Sequence, residues 1–294
     1  MFKKSWRPLA GKAFRIGVGF SFTAIALLHV LGFAPTDVVK RLDYLIYDVR
    51  LRAEAQKPEL DSRIVIVDID EKSLSEVGRW PWSRDVVANL IVELTDKLGA
   101  AVVSFDIVFA EPQQSDALLA LDSIASKSPA LGNELKGMRA SIQSQFDRDA
   151  QLAKVLVDRP VVLGYYLNQD SNALSGALPP ALFKKSQLGT LSLDSTSWQG
   201  YGANIPILQR NAEGGYFNPI VDEDGTVRSV PLLAQFNDAY YQSFALATLR
   251  RALGNPQVIP VFPEGVDDDY GAVELIALRS PDVELDIPVE RGLL

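Results

Sequence analysis

The chain has 294 residues, a formal net charge of −8 at pH 7, 47% apolar and 22% charged residues, a single histidine (His29) and no cysteine. That composition is ordinary for a globular protein and long enough for one large domain or two small ones. It excludes disulfides, thiolate chemistry, a histidine-based triad and a multi-histidine metal site within one chain; a metal would need oxygen ligands, and the acidic balance argues against a nucleic-acid partner.

The charge is unevenly placed. Lys3, Lys4, Arg7, Lys12 and Arg15 crowd residues 1–15, and the uncharged run "IGVGFSFTAIALLHVLGFA" follows from Ile16 to Ala34. At about 1.5 Å per residue this run just covers a hydrocarbon core of about 30 Å. A cleaved signal peptide has the same outline, but no clear small-x-small site precedes Pro35. The expectation is an uncleaved transmembrane helix over 16–34 behind a cytoplasmic basic tail over 1–15. The positive-inside rule places the rest outside the cytoplasm of an inner membrane, in the periplasmic or extracellular space.

Residues 36–57 repeat Val38 or Val39, Leu42, Leu45 or Ile46, and Val49 at three-four spacing, which predicts an amphipathic stalk helix ended by Pro58. Its stripe serves either a homodimer or the domain that follows. Over 58–294 the pattern alternates. A buried strand is expected from Arg63 to Asp70, a helix from about Val86 to Lys97, and a strand from Ala101 to Phe109. Together they form a βαβ unit with a parallel pair. Helical pieces are expected in the polar stretch Pro112–Asp147, then a helix over Asp149–Val157 and a strand over Pro160–Leu167. A loop-rich stretch, a short helix over Ile205–Asn211, a β-hairpin around "VDEDG", a helix over Tyr240–Leu253 and short strands from Val258 to Ile287 complete the reading. The fold class is α/β: a transmembrane helix followed by a largely parallel-sheet domain with a β-hairpin portion.

The first strand ends in carboxylates. Asp68 and Asp70 share a strand face, and Asp106 lies near the C-terminal end of the next strand. In open α/β sheets ligands bind beyond the carboxyl ends of strands. Asp68, Asp70, Glu71, Asp106 and Glu111 are therefore candidates for one ligand-binding rim, with Asp68, Asp70 and Asp106 a candidate Ca²⁺ or Mg²⁺ site. The alternative is that the acids cap turns and helix N-termini or pair with Arg84. Trp80 and Trp82 either line the ligand pocket or anchor the core. Asp68-x-Asp70 also permits a Mg²⁺-dependent phosphohydrolase, with "DDD" at Asp267–Asp269 as a further acidic motif, although Lys72 departs from that pattern. Asp224-Gly225 is an ordinary hairpin signal, with Gly225 at positive φ.

Several blocks together resemble the CHASE2 family of extracytoplasmic sensory domains: "YDVRLR", "VDIDEKSLSEVGRWPWSR", "SFDIVFAEP", "DRDAQLAKVL", and "GGYFNPIVDEDGTVRSVPL" before "YYQSFALA". The similarity runs from about Leu42 to the end. It implies a membrane-anchored sensor that detects a small-molecule or protein signal and regulates a cytoplasmic nucleotide cyclase, histidine or Ser/Thr kinase, or cyclic-di-GMP enzyme; a ligand-free dimerisation or interaction domain is the rival reading. Any catalysis would reside in an output module outside this chain. The family order further leads us to expect another strand, membrane helices and the output domain beyond Leu294, and residues 113–146 read as an insertion.

Overall fold

A computed structural model describes residues 7–30, 37–54, 61–127, 132–188, 191, 193, 195–263 and 273–289. The chain divides into two compact units, residues Met1–Asp68 and Ile69–Leu294.

The first unit holds α1 (Arg7–Val30) and α2 (Asp37–Glu54). Both are exposed along apolar side chains: Phe14, Ile16, Phe20 and Phe22 on α1, and Leu42, Leu45, Ile46 and Val49 on α2. Among the described residues no helix is long and apolar enough to cross a membrane. Among the described residues the uncharged part of α1 runs from Ile16 to Val30, which at about 1.5 Å per residue is shorter than a hydrocarbon core. The remainder of the expected span, residues 31–34, lies outside the described residues.

The buried strand expected at Arg63–Asp70 is not formed. Ile64, Val65, Ile66 and Val67 belong to no strand and have no ladder partners among the described residues, and Ile66 is 89% exposed. An apolar, β-branched run favours a strand, but only a neighbouring strand can satisfy its N–H and C=O groups. The local bonds here belong to a turn: Ile64 N donates to Asp61 O at 3.0 Å, and the Arg63 guanidinium grips Asp61.

The second unit is mixed α/β. Helix α3 (Glu71–Val77) precedes α4 (Arg84–Val92), which continues as a wider turn over Glu93–Lys97. Strand β1 is confined to Val103–Phe105, shorter than expected. Helices α5 (Asp116–Lys127), α6 (Gly132–Phe146) and α7 (Arg148–Leu156) carry the chain to β2 (Val161–Asn168), parallel to β1 with Val103 opposite Val161. The βαβ crossover therefore runs through α5–α7 rather than α4.

Strand β2 is the centre of its sheet. Its first part pairs with β1 and, in parallel, with β7 (Glu213–Tyr216); its last three residues pair antiparallel with β6 (Gly200–Gly202), which in turn holds β3 (Leu174–Ser175). Val161, Val162, Leu163, Tyr165 and Leu167 are all buried, as a strand covered on both faces requires. Below it Val87 and Ile91 of α4, Leu152 and Leu156 of α7 and Leu208 of α8 (Pro206–Gln209) form one apolar cluster with Phe105 and Phe109.

A second sheet orders β4 (Phe183–Lys184), β9 (Ala239–Gln242), β8 (Leu233–Phe236) and β5 (Ser197–Trp198). Helix α9 (Phe244–Ala252) follows, capped by Ser243, so the helix expected from Tyr240 starts four residues later. An antiparallel meander of β10 (Gln257–Val261), β11 (Leu275–Ser280) and β12 (Val283–Pro288) ends the described fold. The hairpin expected around "VDEDG" shrinks to a turn, Gly225 N to Asp222 O at 2.9 Å, with the single bridge Ile220–Ser229. Gly225 has φ +83°. The flanking segments are claimed elsewhere, β7 by β2 and β8 by β9.

Candidate functional site

Asp68, in the first unit, is exposed. In the second unit Asp70 is the N-cap of α3; its carboxylate accepts from Ser73 N at 2.8 Å and Ser73 Oγ at 2.7 Å, and these bonds hold its pKa below the usual carboxylate value. Glu71 follows in the first turn of that helix, where a negative charge suits the dipole. Asp106 and Glu111 have exposed side chains. Among the described residues no group of three or more Asp, Glu or His side chains is placed to hold a metal ion. A phosphohydrolase would need the Asp70 carboxylate free for proton transfer, whereas here it is engaged by Ser73. Asp267–Asp269 lie outside the described residues.

Trp80 and Trp82 stack edge to face with centroids 5.7 Å apart. Trp82 packs against the cluster beneath β2 and donates its indole N–H to Gly78 O at 2.8 Å, so its polar edge is satisfied while its body anchors the core.

Arg84 is where the chain converges. It is not paired with an acid at the end of the expected first strand. Its Nε meets Asp149 Oδ1 at 3.1 Å, with both side chains 10% exposed. Its Nη2 donates to the backbone carbonyl of Glu111 at 2.9 Å, and the guanidinium lies 4.5 Å from the centroid of the Phe109 ring. The second oxygen of Asp149 accepts from Gln113 N at 2.7 Å, and Gln113 Oε1 accepts from Arg84 N at 2.7 Å. A desolvated charge pair persists only where its remaining donors and lone pairs are also satisfied, and here backbone groups of the 111–113 segment do that. Next to it Arg148 Nη1 meets Asp85 Oδ1 at 2.8 Å, and Ser83 Oγ bonds to both. The Ser83 hydroxyl chiefly, with a backbone N–H and the charge of Arg148 adding to it, holds the Asp85 carboxyl below its ordinary pKa.

Two Arg-Asp dipeptides, at the N-termini of α4 and α7, thus exchange charges: Arg84 with Asp149 and Asp85 with Arg148. Asp147 completes the triplet by capping α7 through Ala150 N. The junction borders a cleft of about 290 Å³ lined by Gln113, Leu118, Asp122, Gln143, Phe146 and Asp149, among others. The second polar bolt is Asn204, fully buried, which accepts from Phe109 N and donates to Gly164 O and Gln209 Oε1. Sequence reasoning missed Asp149, Gln113 and Asn204. For Asp149 the only signal was its place in the "DRDAQLAKVL" block.

The CHASE2 domain family matches residues 22–291. The chain belongs to that family. The match begins inside α1, earlier than the motif blocks, and takes in both units. CHASE2 domains are extracytoplasmic sensory domains of signalling receptors, and Ser83-Arg84 and the "DRD" segment of the Arg84 junction lie within two of the blocks that carry the resemblance. No curated protein and no solved structure matches the chain.

Proposed function

We propose that this chain is the sensory portion of a membrane-anchored bacterial receptor. The N-terminus lies in the cytoplasm, residues 36–294 lie outside it, and the signal reaches a cytoplasmic cyclase, kinase or cyclic-di-GMP enzyme. The single observation that carries the reading is the CHASE2 match over residues 22–291. Two features support it. The apolar side chains of α1 are 70–78% exposed at Ile16, Phe14, Phe22 and Phe20, behind a cationic tail, and lipid is the medium that covers such a surface. The exposed Leu42, Leu45, Ile46 and Val49 of α2 offer a second copy an apolar stripe, so a homodimer can pass a change in geometry from the sensor toward the membrane.

The test joins topology to output. Alkaline phosphatase fused after Lys57 is expected to be active, and β-galactosidase at the same point inactive; the reverse overturns the orientation. With the chain joined through a transmembrane segment to a nucleotide cyclase catalytic domain, Leu45→Asp with Ile46→Asp is expected to change cyclase output several-fold. Output indifferent to the stripe overturns the proposed relay.

A further inference from the structure

A cleft of about 690 Å³, within the size range of small-molecule sites, lies apart from the Arg84 junction. Its walls are the end of α7 with Val157–Arg159, the segment Ala177–Pro180, the end of α8 with Gln209–Glu213, and Arg251 of α9.

Three guanidiniums border it, and they are not equivalent. Arg159 is spent: its Nε and Nη2 bind both oxygens of Asp96 at 3.2 and 2.7 Å, and its Nη1 donates to Val155 O. Arg251 donates Nη2 to the Arg159 carbonyl at 3.1 Å, but its buried Nε has no hydrogen-bond partner. Arg210 is exposed, and among the described residues neither Arg210 nor Arg251 has a carboxylate partner. A buried donor left unsatisfied costs about 1–3 kcal/mol and more when it is charged, so Arg251, which lines the cleft, keeps hydrogen-bonding capacity that the described residues do not fill.

The remaining walls narrow the ligand. Leu156, Leu178, Pro179, Pro180 and Ala212 supply an apolar surface. Glu213 is held by Asn255 Nδ2 at 3.0 Å and faces the charge of Arg250. Asp158 stands exposed at the rim. Asp96 matches Arg159 and Arg250 faces Glu213, so Arg210 and Arg251 against Asp158 leave one positive charge in excess. That suits a monoanion, while a dianion would meet Asp158 and Glu213 as like charges.

We propose that this cleft binds a small organic monocarboxylate, its carboxylate forked by Arg251 and Arg210 and its apolar body against Leu156, Leu178 and Pro179. Planar guanidinium forks match carboxylates in this way. The inference deepens the sensory reading by naming the class of its ligand. Binding is measured on the protein itself, so a failed titration overturns the cleft and leaves the receptor reading to the topology and cyclase fusions.

The experiment is a thermal-unfolding titration of the purified full chain with sodium acetate, isovalerate and benzoate at matched ionic strength. Isovaleramide serves as the neutral control and inorganic phosphate as the dianion. A saturable rise in Tm with isovalerate or benzoate is expected, absent with the amide and smaller with phosphate. Arg210→Gln, at an exposed side chain with no ion pair to lose, is expected to weaken the apparent affinity roughly tenfold or more, the loss of about one charge-assisted contact. Arg251→Lys, which keeps the charge but not the fork, is expected to weaken it as well. No saturable shift with any carboxylate up to about 10 mM, an equal shift with the amide or with phosphate, or an unchanged affinity in Arg210→Gln overturns the proposal.

Discussion

At the scale of single residues, the crossed Arg-Asp pairs at the starts of α4 and α7 separate two regimes of electrostatics. Arg84 and Asp149 are almost withdrawn from water, while Arg148 and Asp85 are 40% and 44% exposed. Removing one partner of a buried pair leaves an uncompensated charge and typically costs about 3–5 kcal/mol, whereas an exposed pair contributes about 0.2–1 kcal/mol. Arg84→Met is therefore expected to lower the unfolding free energy by about 3 kcal/mol or more, and Asp85→Asn by less than about 1 kcal/mol, both read from urea titrations. The double change Arg84→Met with Asp149→Leu is expected to recover much of the loss, because no charge is then stranded. Equal costs for the two single changes would show that the junction is not held by its buried pair.

At the scale of elements, β2 explains why some of the fold was legible and some was not. "PVVLGYYL" reads as a strand, and its neighbours β1, β7 and β6 are all present to pair it. "IVIV" at Ile64–Val67 has the same propensity and no partner among the described residues, because composition names a conformation and not a neighbour. The Asp-Gly turn formed as its chemistry dictates, yet the strands beside it were taken by partners distant in sequence. The same limit hid the site: Arg84 and Asp149 are 65 residues apart, and nothing local marks their contact. Helices were easier to read, since α2, α7 and α8 declare themselves by local spacing and caps. Close approach of elements is likewise invisible until they meet. Gly215 of β7 has no room for a side chain, since a Cβ there would lie 2.5 Å from Phe244 Cα and 2.8 Å from Phe244 N at the start of α9. Gly215→Ala is expected to push α9 off the sheet and cost about 1–3 kcal/mol. The same change at Gly137, where nothing lies within 4 Å on a helix, is expected to be neutral or stabilising. Equal urea midpoints for the two variants would contradict the close packing of α9 on β7.

At the scale of the whole molecule, an acidic chain gains stability from carboxylates that folding makes easier to ionise, and only some of its ion pairs do this. Asp61, with its carboxyl lowered to about 2 chiefly by the Arg63 hydrogen bond, pairs with a residue two positions away. Asp224 is lowered chiefly by Arg228, four positions away. Such short-range contacts form in the unfolded chain as well and largely cancel from the difference. Asp96 is different: its pKa is lowered chiefly by Arg159, 63 residues on, and then by Thr95. The Arg159 contact exists only when β2 has been brought beside the end of α4. A carboxyl whose folded pKa lies below its unfolded value, about 3.9 for Asp, contributes stability that is present above that value. The contribution is lost as pH falls through the folded pKa. The urea midpoint of the second unit is therefore expected to fall as pH drops below about 5. Asp96→Asn is expected to flatten that fall, with its greatest cost near neutral pH and little cost at the acid end. Asp224→Asn, in the same unit, is expected to leave the slope unchanged although its carboxyl is strongly shifted. If Asp224→Asn flattens the profile as much as Asp96→Asn, the Asp224–Arg228 contact is a product of folding and the distinction between local and long-range pairs fails.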